Sequence, residues 1–167
     1  MEEKNYEVKE NYQDAYEKAD AEGQSKVLPV LKDLFSKTEL TFEQHVTDKN
    51  EIDIKFTATT MCSQSYYSVE CKHRNCSHKV FKEDGYLLED KKRDSLLGAY
   101  KKGYKPIYAN TFDDGVILMW DLSKINFDSL KELDKPLPIK TVENKGKKKK
   151  ENKLLQYNDA VYKGKYC

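Results

Sequence analysis

The sequence predicts a mixed α/β (α+β) fold, in which a mixed central sheet is flanked by helices and followed by a C-terminal β-hairpin. Apolar residues recur at helical spacing in two segments and alternate along the segments between them. The order of these segments is helix, three strands, helix and two strands, which is neither regular β–α–β alternation nor an all-β pattern. The 167 residues are the usual size of one domain, so residues 1–167 are expected to form a single domain with its core at about residues 25–125.

The helices are predicted from apolar spacing and from their end signals. Residues 1–24 form a charged segment whose narrow apolar stripe has helical spacing. A helix is expected over about Ser25–Lys37, with Ser25 as its N-cap and Pro29 near its first turn. A later helix is expected over about Tyr86–Lys102, and Gly103 is placed to end it.

The strands are predicted from apolar residues at every second position. The first two are joined by the turn-forming residues Thr47–Asn50 and the last two by Asp113–Gly115, so each pair predicts a hairpin. Beyond them, strand-like segments flank the basic run Lys145–Lys150, and residues 136–167 therefore predict an exposed basic hairpin. The core strands cover about residues 40–46, 52–56, 66–72, 105–112 and 116–122, and the C-terminal ones 137–142 and 154–162.

The composition restricts the class of protein. Charged residues make up 35% and hydrophobic residues 38%, which indicates a thin core, yet 12 Tyr, 6 Phe and 1 Trp argue against disorder. The net charge of +1 gives no general attraction to nucleic acid, so such binding would need basic residues sorted onto one surface. No apolar run is long enough to span a membrane and no secretory signal opens the chain. We therefore expect a cytoplasmic protein with no membrane partner and with reduced cysteines.

Three charged residues interrupt the apolar strands predicted in the middle of the chain. Asp53 stands between Ile52 and Ile54, which are expected to share the opposite face of their strand. Glu70 and Lys72 are two residues apart on the next strand, so their side chains leave the same side of the sheet. Carboxylate oxygens suit Mg²⁺, and a lysine beside them can orient water and offset charge on a phosphate. A solvated sheet face with a salt bridge is the alternative interpretation.

The segments Glu51–Phe56 and Ser68–Lys72, with Glu70 seventeen residues after Asp53, resemble the PD-(D/E)XK nuclease superfamily of restriction endonucleases and Holliday-junction resolvases. The segment 105–122 is similar to small nuclease-like proteins of bacteriophages. The resemblance implies a restriction-endonuclease-like αβββαβ core and a metal-dependent DNA endonuclease of phage recombination, repair or DNA processing. It implies Asp53, Glu70 and Lys72 as catalytic residues, with Asp53 and Glu70 holding Mg²⁺ or, as an alternative, Mn²⁺. In place of the family's proline before the aspartate, this chain has isoleucine.

Further residues are candidates for the same site. The resemblance implies an acidic residue on the first helix, best matched by Glu22, and basic residues on the later helix that can face the site, such as Lys92. An exposed helix flank is the alternative position for Lys92. His73 and Arg74 are expected at the rim of the site, where a phosphate would pass. The basic run is expected either to bind phosphates without sequence specificity or to be a solvated hairpin tip. The residues that would bind the phosphates are Lys147, Lys148, Lys149 and Lys150.

These expectations describe a DNA endonuclease of the cytoplasm, or of the host cell cytoplasm if a phage encodes the chain. A homodimer is an alternative to a monomer, because cutting both strands of a duplex needs two sites. The main alternative function is a catalytically silent module that binds nucleic acid or protein in a structural or anti-defence role, and RNA cleavage is a further one. A zinc site is the remaining alternative, with Cys62, Cys71, Cys76 and His78 as its ligands. The spacing of these four residues along the chain matches no standard zinc finger.

Overall fold

The computed structural model of the protein describes residues 21–43, 52–134, 136–138 and 146–166. Over these residues the fold is mixed α/β, with two α-helices and a mixed six-stranded sheet in the order β1-β2-β3-β5-β6-β10. Residues 1–20 and the predicted turn at 47–50 lie outside the described residues. The main-sheet strands are β1 Glu39–Phe42, β2 Ile54–Thr59, β3 Gln64–Arg74, β5 Tyr104–Phe112, β6 Val116–Asp121 and β10 Tyr162–Lys165.

The first helix, α1, covers residues 21–34 of the described chain and begins earlier than the sequence predicts. Ser25 lies inside this helix, where its hydroxyl donates a hydrogen bond to the Glu22 carbonyl oxygen at 2.9 Å, so it is not the N-cap. Pro29 is likewise past the first turn. Of the apolar residues whose spacing predicts this helix, Val27 and Leu31 are buried against the sheet, whereas Leu34 is exposed at the helix end, three residues before the predicted end at Lys37.

The second helix, α2, spans Asp90–Lys101, and its predicted start at Tyr86 is wrong. Residues Tyr86–Glu89 instead form a strand, β4, which pairs antiparallel with β9, Asn152–Leu155. A strand and a helical turn cannot be told apart from a segment of only four residues. The strand that pairs with this segment lies more than 60 residues away along the chain, so the local sequence gives no sign of it. The predicted end of the helix is confirmed, since Gly103 follows with φ of +95°.

The main sheet combines a three-stranded antiparallel meander and a hairpin with one parallel crossover. Strands β1, β2 and β3 are antiparallel neighbours, and β5 pairs antiparallel with β6 through a turn in which Gly115 has φ of +79°. Strand β5 lies parallel to β3, and α2 is the crossover that connects them. The predicted order of elements is therefore confirmed, apart from the added strand β4.

The C-terminal residues do not form the predicted exposed hairpin. Strand β7, Leu137–Pro138, pairs with β8, Lys147–Lys148, so the basic run is itself part of a short ladder. The following strands belong to the body of the protein, because β9 pairs with β4 and β10 extends the main sheet beside β6. Leu154 and Leu155 are buried there, which provides the hydrophobic stabilisation that an exposed hairpin lacks.

Two hydrophobic clusters cover the two faces of the main sheet. One lies under α1 and includes Val27, Phe56 and Val69. The other lies under α2 and the β4–β9 ribbon and includes Leu96 and Trp120. Burying both faces in this way is what allows a chain of low overall hydrophobicity to keep its central strands out of water.

Candidate functional site

The site begins where β2 starts and the chain changes sides of the sheet. Ile52 packs in the cluster under α2, whereas Ile54 packs in the cluster under α1. The prediction that these two residues share a face is therefore wrong, because the chain bends at Asp53 between them. The bend frees the Asp53 carboxylate from a regular strand position, and its Oδ2 accepts a hydrogen bond of 2.8 Å from the backbone N–H of Cys71.

Glu70 and Lys72 stand on β3 beside this bend. The last registered pair between β2 and β3 is Ile54 with Val69, and continuing that register by one pair brings Asp53 opposite Glu70. Asp53 Oδ2 accepts a hydrogen bond from the N–H of Cys71, the residue after Glu70, so Asp53 lies beside this part of β3 where β2 and β3 separate. Lys72 follows two residues after Glu70 on the same face of β3.

We call the point where β2 and β3 separate, with Asp53 and Glu70 on either side, the fork. Its two carboxylates are shielded from solvent. Asp53 is 9% exposed and Glu70 5% exposed. Burying a carboxylate is costly unless it is paired with a cation or with hydrogen-bond donors. Here Asp53 receives the Cys71 N–H, and Glu70 Oε1 forms an ion pair with the ammonium of Lys92, which reaches it from the first turn of α2. Lys92 thus faces the site, as one of its two sequence interpretations predicts.

The donor set of the fork fits a hard divalent cation. Asp53 and Glu70 offer carboxylate oxygens from neighbouring strands, and such oxygens are the ligands that Mg²⁺ and Mn²⁺ prefer. Within the described ranges, no cluster of three or more His, Cys, Asp or Glu side chains is arranged to hold a metal. A cation at the fork would therefore be held by these two carboxylates, with water and substrate oxygens in the other positions.

Helix α1 approaches the same part of β3 through Gly23. A Cβ atom on Gly23 would lie 3.4 Å from the Cβ of Cys71, the residue between Glu70 and Lys72. The carboxylate of the neighbouring Glu22 forms an ion pair with Lys26, whose ammonium lies 2.7 Å from Glu22 Oε1. The hydrogen bond from Lys26 lowers the pKa of Glu22. Glu22 is therefore near the strand that carries the site, but its described partners are on the α1 side of the sheet.

His73 and Arg74 project from opposite faces of β3, because successive residues of a strand alternate. The His73 ring lies on the α1 side, where Nδ1 is 3.0 Å from the Thr111 hydroxyl and Nε2 is 3.1 Å from Asp113 Oδ1. Arg74 lies on the α2 side and donates to the Leu87 carbonyl oxygen at 2.9 Å. Each side chain thus has a role in holding the fold, and the two do not share one rim.

The basic run lies next to the start of α2. Lys150 forms an ion pair of 3.1 Å with Glu89, the residue before α2, and the Asp90 N–H donates to the Glu151 carbonyl oxygen. Lys149 is 3.4 Å from Asp134 and largely exposed. Lys147 and Lys148 form strand β8. The run is therefore anchored within the fold and reaches the end of α2 from which Lys92 contacts the site.

The cysteines do not come together as a zinc site. Cys62 is in the turn before β3 and Cys76 follows the end of β3. A strand rises about 3.3 Å per residue, so the 11 residues of β3 hold these two sulfur atoms roughly 30 Å apart. Cys71 is buried in the cluster under α1. Burial raises the pKa of the Cys76 thiol.

Asn110 is a site neighbour that the sequence reasoning missed. It lies on β5 in register with Lys72 and on the same face, and it is fully buried between Tyr108 and Phe112. Among the described residues, neither amide atom of Asn110 has a hydrogen-bond partner. The signal in the sequence was a polar residue at an inward position of an otherwise apolar strand. In the fold, this residue places a buried amide next to Lys72.

Among the described residues, neither helix combines the length and the apolar character needed to cross a membrane. Comparisons of the chain with protein families, with curated proteins and with solved structures gave no match.

Proposed function

We propose that the protein is a metal-dependent endonuclease that hydrolyses phosphodiester bonds of DNA, on a restriction-endonuclease-like αβββαβ core. The observation that carries the proposal is the fork between β2 and β3, where Asp53 and Glu70 are both buried, Asp53 accepts a hydrogen bond from the N–H of the residue after Glu70, and Lys72 lies on the same side of β3 as Glu70. The element order supports it, because α1, the antiparallel strands β1–β3, the crossover helix α2 and the parallel strand β5 follow one another as the family resemblance implies.

The residues of the fork have separate chemical roles. Asp53 and Glu70 would hold Mg²⁺ or Mn²⁺, and the bound cation would supply Lewis-acid polarisation of the phosphate. The Lys72 ammonium orients the attacking water and offsets the negative charge that develops on the phosphate in the transition state. Burial of the two carboxylates strengthens these electrostatic effects, since the local dielectric is lower than that of water.

Two lysines near the fork are candidates for phosphate contact, Lys92 in the first turn of α2 and Lys150 beside it. Each is already paired with a carboxylate, Lys92 with Glu70 and Lys150 with Glu89, so binding of DNA would draw them away from these partners. Cutting both strands of a duplex needs two such sites, so a homodimer is an alternative to a monomer on duplex DNA. The cellular role that we propose is phage recombination, repair or DNA processing in the cytoplasm, which is that of the host cell if a phage encodes the chain.

The test is cleavage of labelled linear duplex, branched duplex and single-stranded DNA, and of RNA, with Mg²⁺ or Mn²⁺. Asp53→Asn and Lys72→Ala should each reduce cleavage by several orders of magnitude, because uncatalysed phosphodiester hydrolysis is extremely slow. Asp33→Asn and Lys91→Ala change matched charges at exposed helical positions and should cut at the wild-type rate. Full cleavage by a folded Asp53→Asn protein would show that the site is assigned wrongly.

A catalytically silent module that binds nucleic acid or protein is the second candidate. It is favoured by the fact that the protein itself already engages both carboxylates, Asp53 through the Cys71 N–H and Glu70 through Lys92. This candidate predicts that the wild type binds labelled nucleic acid without cation-dependent cutting, and that Asp53→Asn changes the affinity only modestly. The same panel, analysed by gel shift as well as by product formation, separates the two functions.

A further inference from the structure

We propose that Lys92 is a built-in counter-ion of Glu70, which a divalent cation displaces, and that the displaced ammonium then contacts the phosphate backbone of the nucleic acid. The inference rests on the proposed function in one respect, since the cation is the one assigned to the fork. It adds that cation binding and nucleic-acid binding at this site are coupled through one side chain.

The first step concerns the ion pair itself. Glu70 is almost fully buried, and the Lys92 ammonium meets its Oε1. The Lys92 side chain is 46% exposed, so it contacts the buried carboxylate from the surface of the protein. Lys92 therefore neutralises a buried carboxylate from a position that it can leave by rotation of its own side chain.

The second step is competition for one carboxylate. A divalent cation at the fork needs oxygen from Glu70, and Lys92 already holds Glu70 Oε1. The two oxygens of a carboxylate are so close together that a cation on either one would lie beside the ammonium. Like charges at such a distance repel strongly in a partly buried site. Cation binding therefore requires Lys92 to move away from Glu70.

The third step is the destination of the displaced ammonium. Lys92 is in the first turn of α2, at the end where Lys150 pairs with Glu89. A phosphate that approaches a cation held by Glu70 arrives at this same end of the helix. The displaced ammonium adds one positive charge to the surface that this phosphate meets, so each ligand should increase the affinity for the other.

The first experiment measures the cation without nucleic acid. Lys92→Met and Lys92→Gln are compared with the wild type by thermal unfolding over a titration with Mn²⁺, and Lys91→Met, at an exposed neighbouring position, is the control. Both Lys92 variants should melt at a lower temperature than the wild type in the absence of cation. Their half-saturating Mn²⁺ concentration should be about tenfold lower, because the competitor is gone. An unchanged or higher half-saturating concentration would overturn the proposal.

The second experiment measures the coupling on a nuclease-resistant phosphorothioate duplex. In the wild type, Mn²⁺ should steepen the slope of log affinity against log salt by about one unit, the effect of one additional phosphate contact. Lys92→Gln should show no such increment, and an identical increment in the variant would refute the role in phosphate binding. A wild type that exchanges Lys92 for Mn²⁺ but cuts nothing would refute the nuclease function alone. A wild type without saturable Mn²⁺ binding would refute both.

Discussion

Replacing Asn110 by leucine should make the protein more stable. Asn110 is fully buried on β5, between Tyr108 and Phe112, and among the described residues its amide oxygen and nitrogen have no hydrogen-bond partner. Leucine has the same branching as asparagine but no polar atoms. The substitution therefore removes a desolvation penalty from the native state without breaking a described hydrogen bond.

The magnitude follows from two opposing effects. A buried polar group without a partner costs about 1–3 kcal/mol, and Asn110 contributes both a donor and an acceptor. The additional volume of the leucine methyl groups offsets part of the gain, because overpacking a core costs about 1–3 kcal/mol. We expect a net increase of about 1–3 kcal/mol in the free energy of unfolding, or roughly 3–10 °C in Tm for a protein of this size.

Urea unfolding is the appropriate assay, because the single tryptophan, Trp120, is fully buried and reports loss of the core. Thr111→Val is the matched control, since Thr111 is also fully buried on β5 but its hydroxyl lies 3.0 Å from His73 Nδ1. The control should lose about 0.5–1.5 kcal/mol, as expected for a hydrogen bond that is made. A loss of about 1 kcal/mol or more in Asn110→Leu would refute the reasoning, because it would mean that the desolvation penalty of the amide is smaller than the cost of overpacking.

Two further predictions concern stability. Gly85→Ala should lower the free energy of unfolding by about 3 kcal/mol, because Gly85 has φ of +106° and a Cβ atom there would lie 2.8 Å from the Leu154 Cβ. The control Gly103→Ala has φ of +95° but open space around the added Cβ, and should cost about 1–2 kcal/mol. Equal losses in equilibrium unfolding would contradict a clash at Gly85. Burial raises the pKa of Asp114, but hydrogen bonds from Ser77–His78 outweigh it and hold the pKa well below its usual value. The stabilisation from Asp114 is present above pH 4 and is lost as the pH falls toward the native pKa, so urea unfolding at pH 7 and pH 3 should show a smaller pH effect in Asp114→Asn than in the wild type.

The local elements were predictable because their signals are local. Alternation of apolar residues predicted β2, β3, β5 and β6. The end of α2 was predictable because Gly103 adopts a left-handed backbone conformation, which a helix cannot continue through. The strands built from Tyr86–Glu89 and from residues 152 onward were not predicted correctly. Their stability depends on pairing with each other and with β6 across long stretches of chain, and a window of sequence does not contain the partner.

From the sequence alone, Asp53, Glu70 and Lys72 are candidate site residues, and Glu70 and Lys72 are expected to leave β3 on the same side, because side-chain alternation along a strand is a property of the backbone. Three features emerge only in the folded chain: the bend at Asp53 that takes the chain to the other face, the contact of Lys92 with Glu70, and the position of Asn110 beside Lys72. Each of these depends on which strands and helices become neighbours. That choice is made by burial of apolar surface over the whole chain, which no single segment encodes.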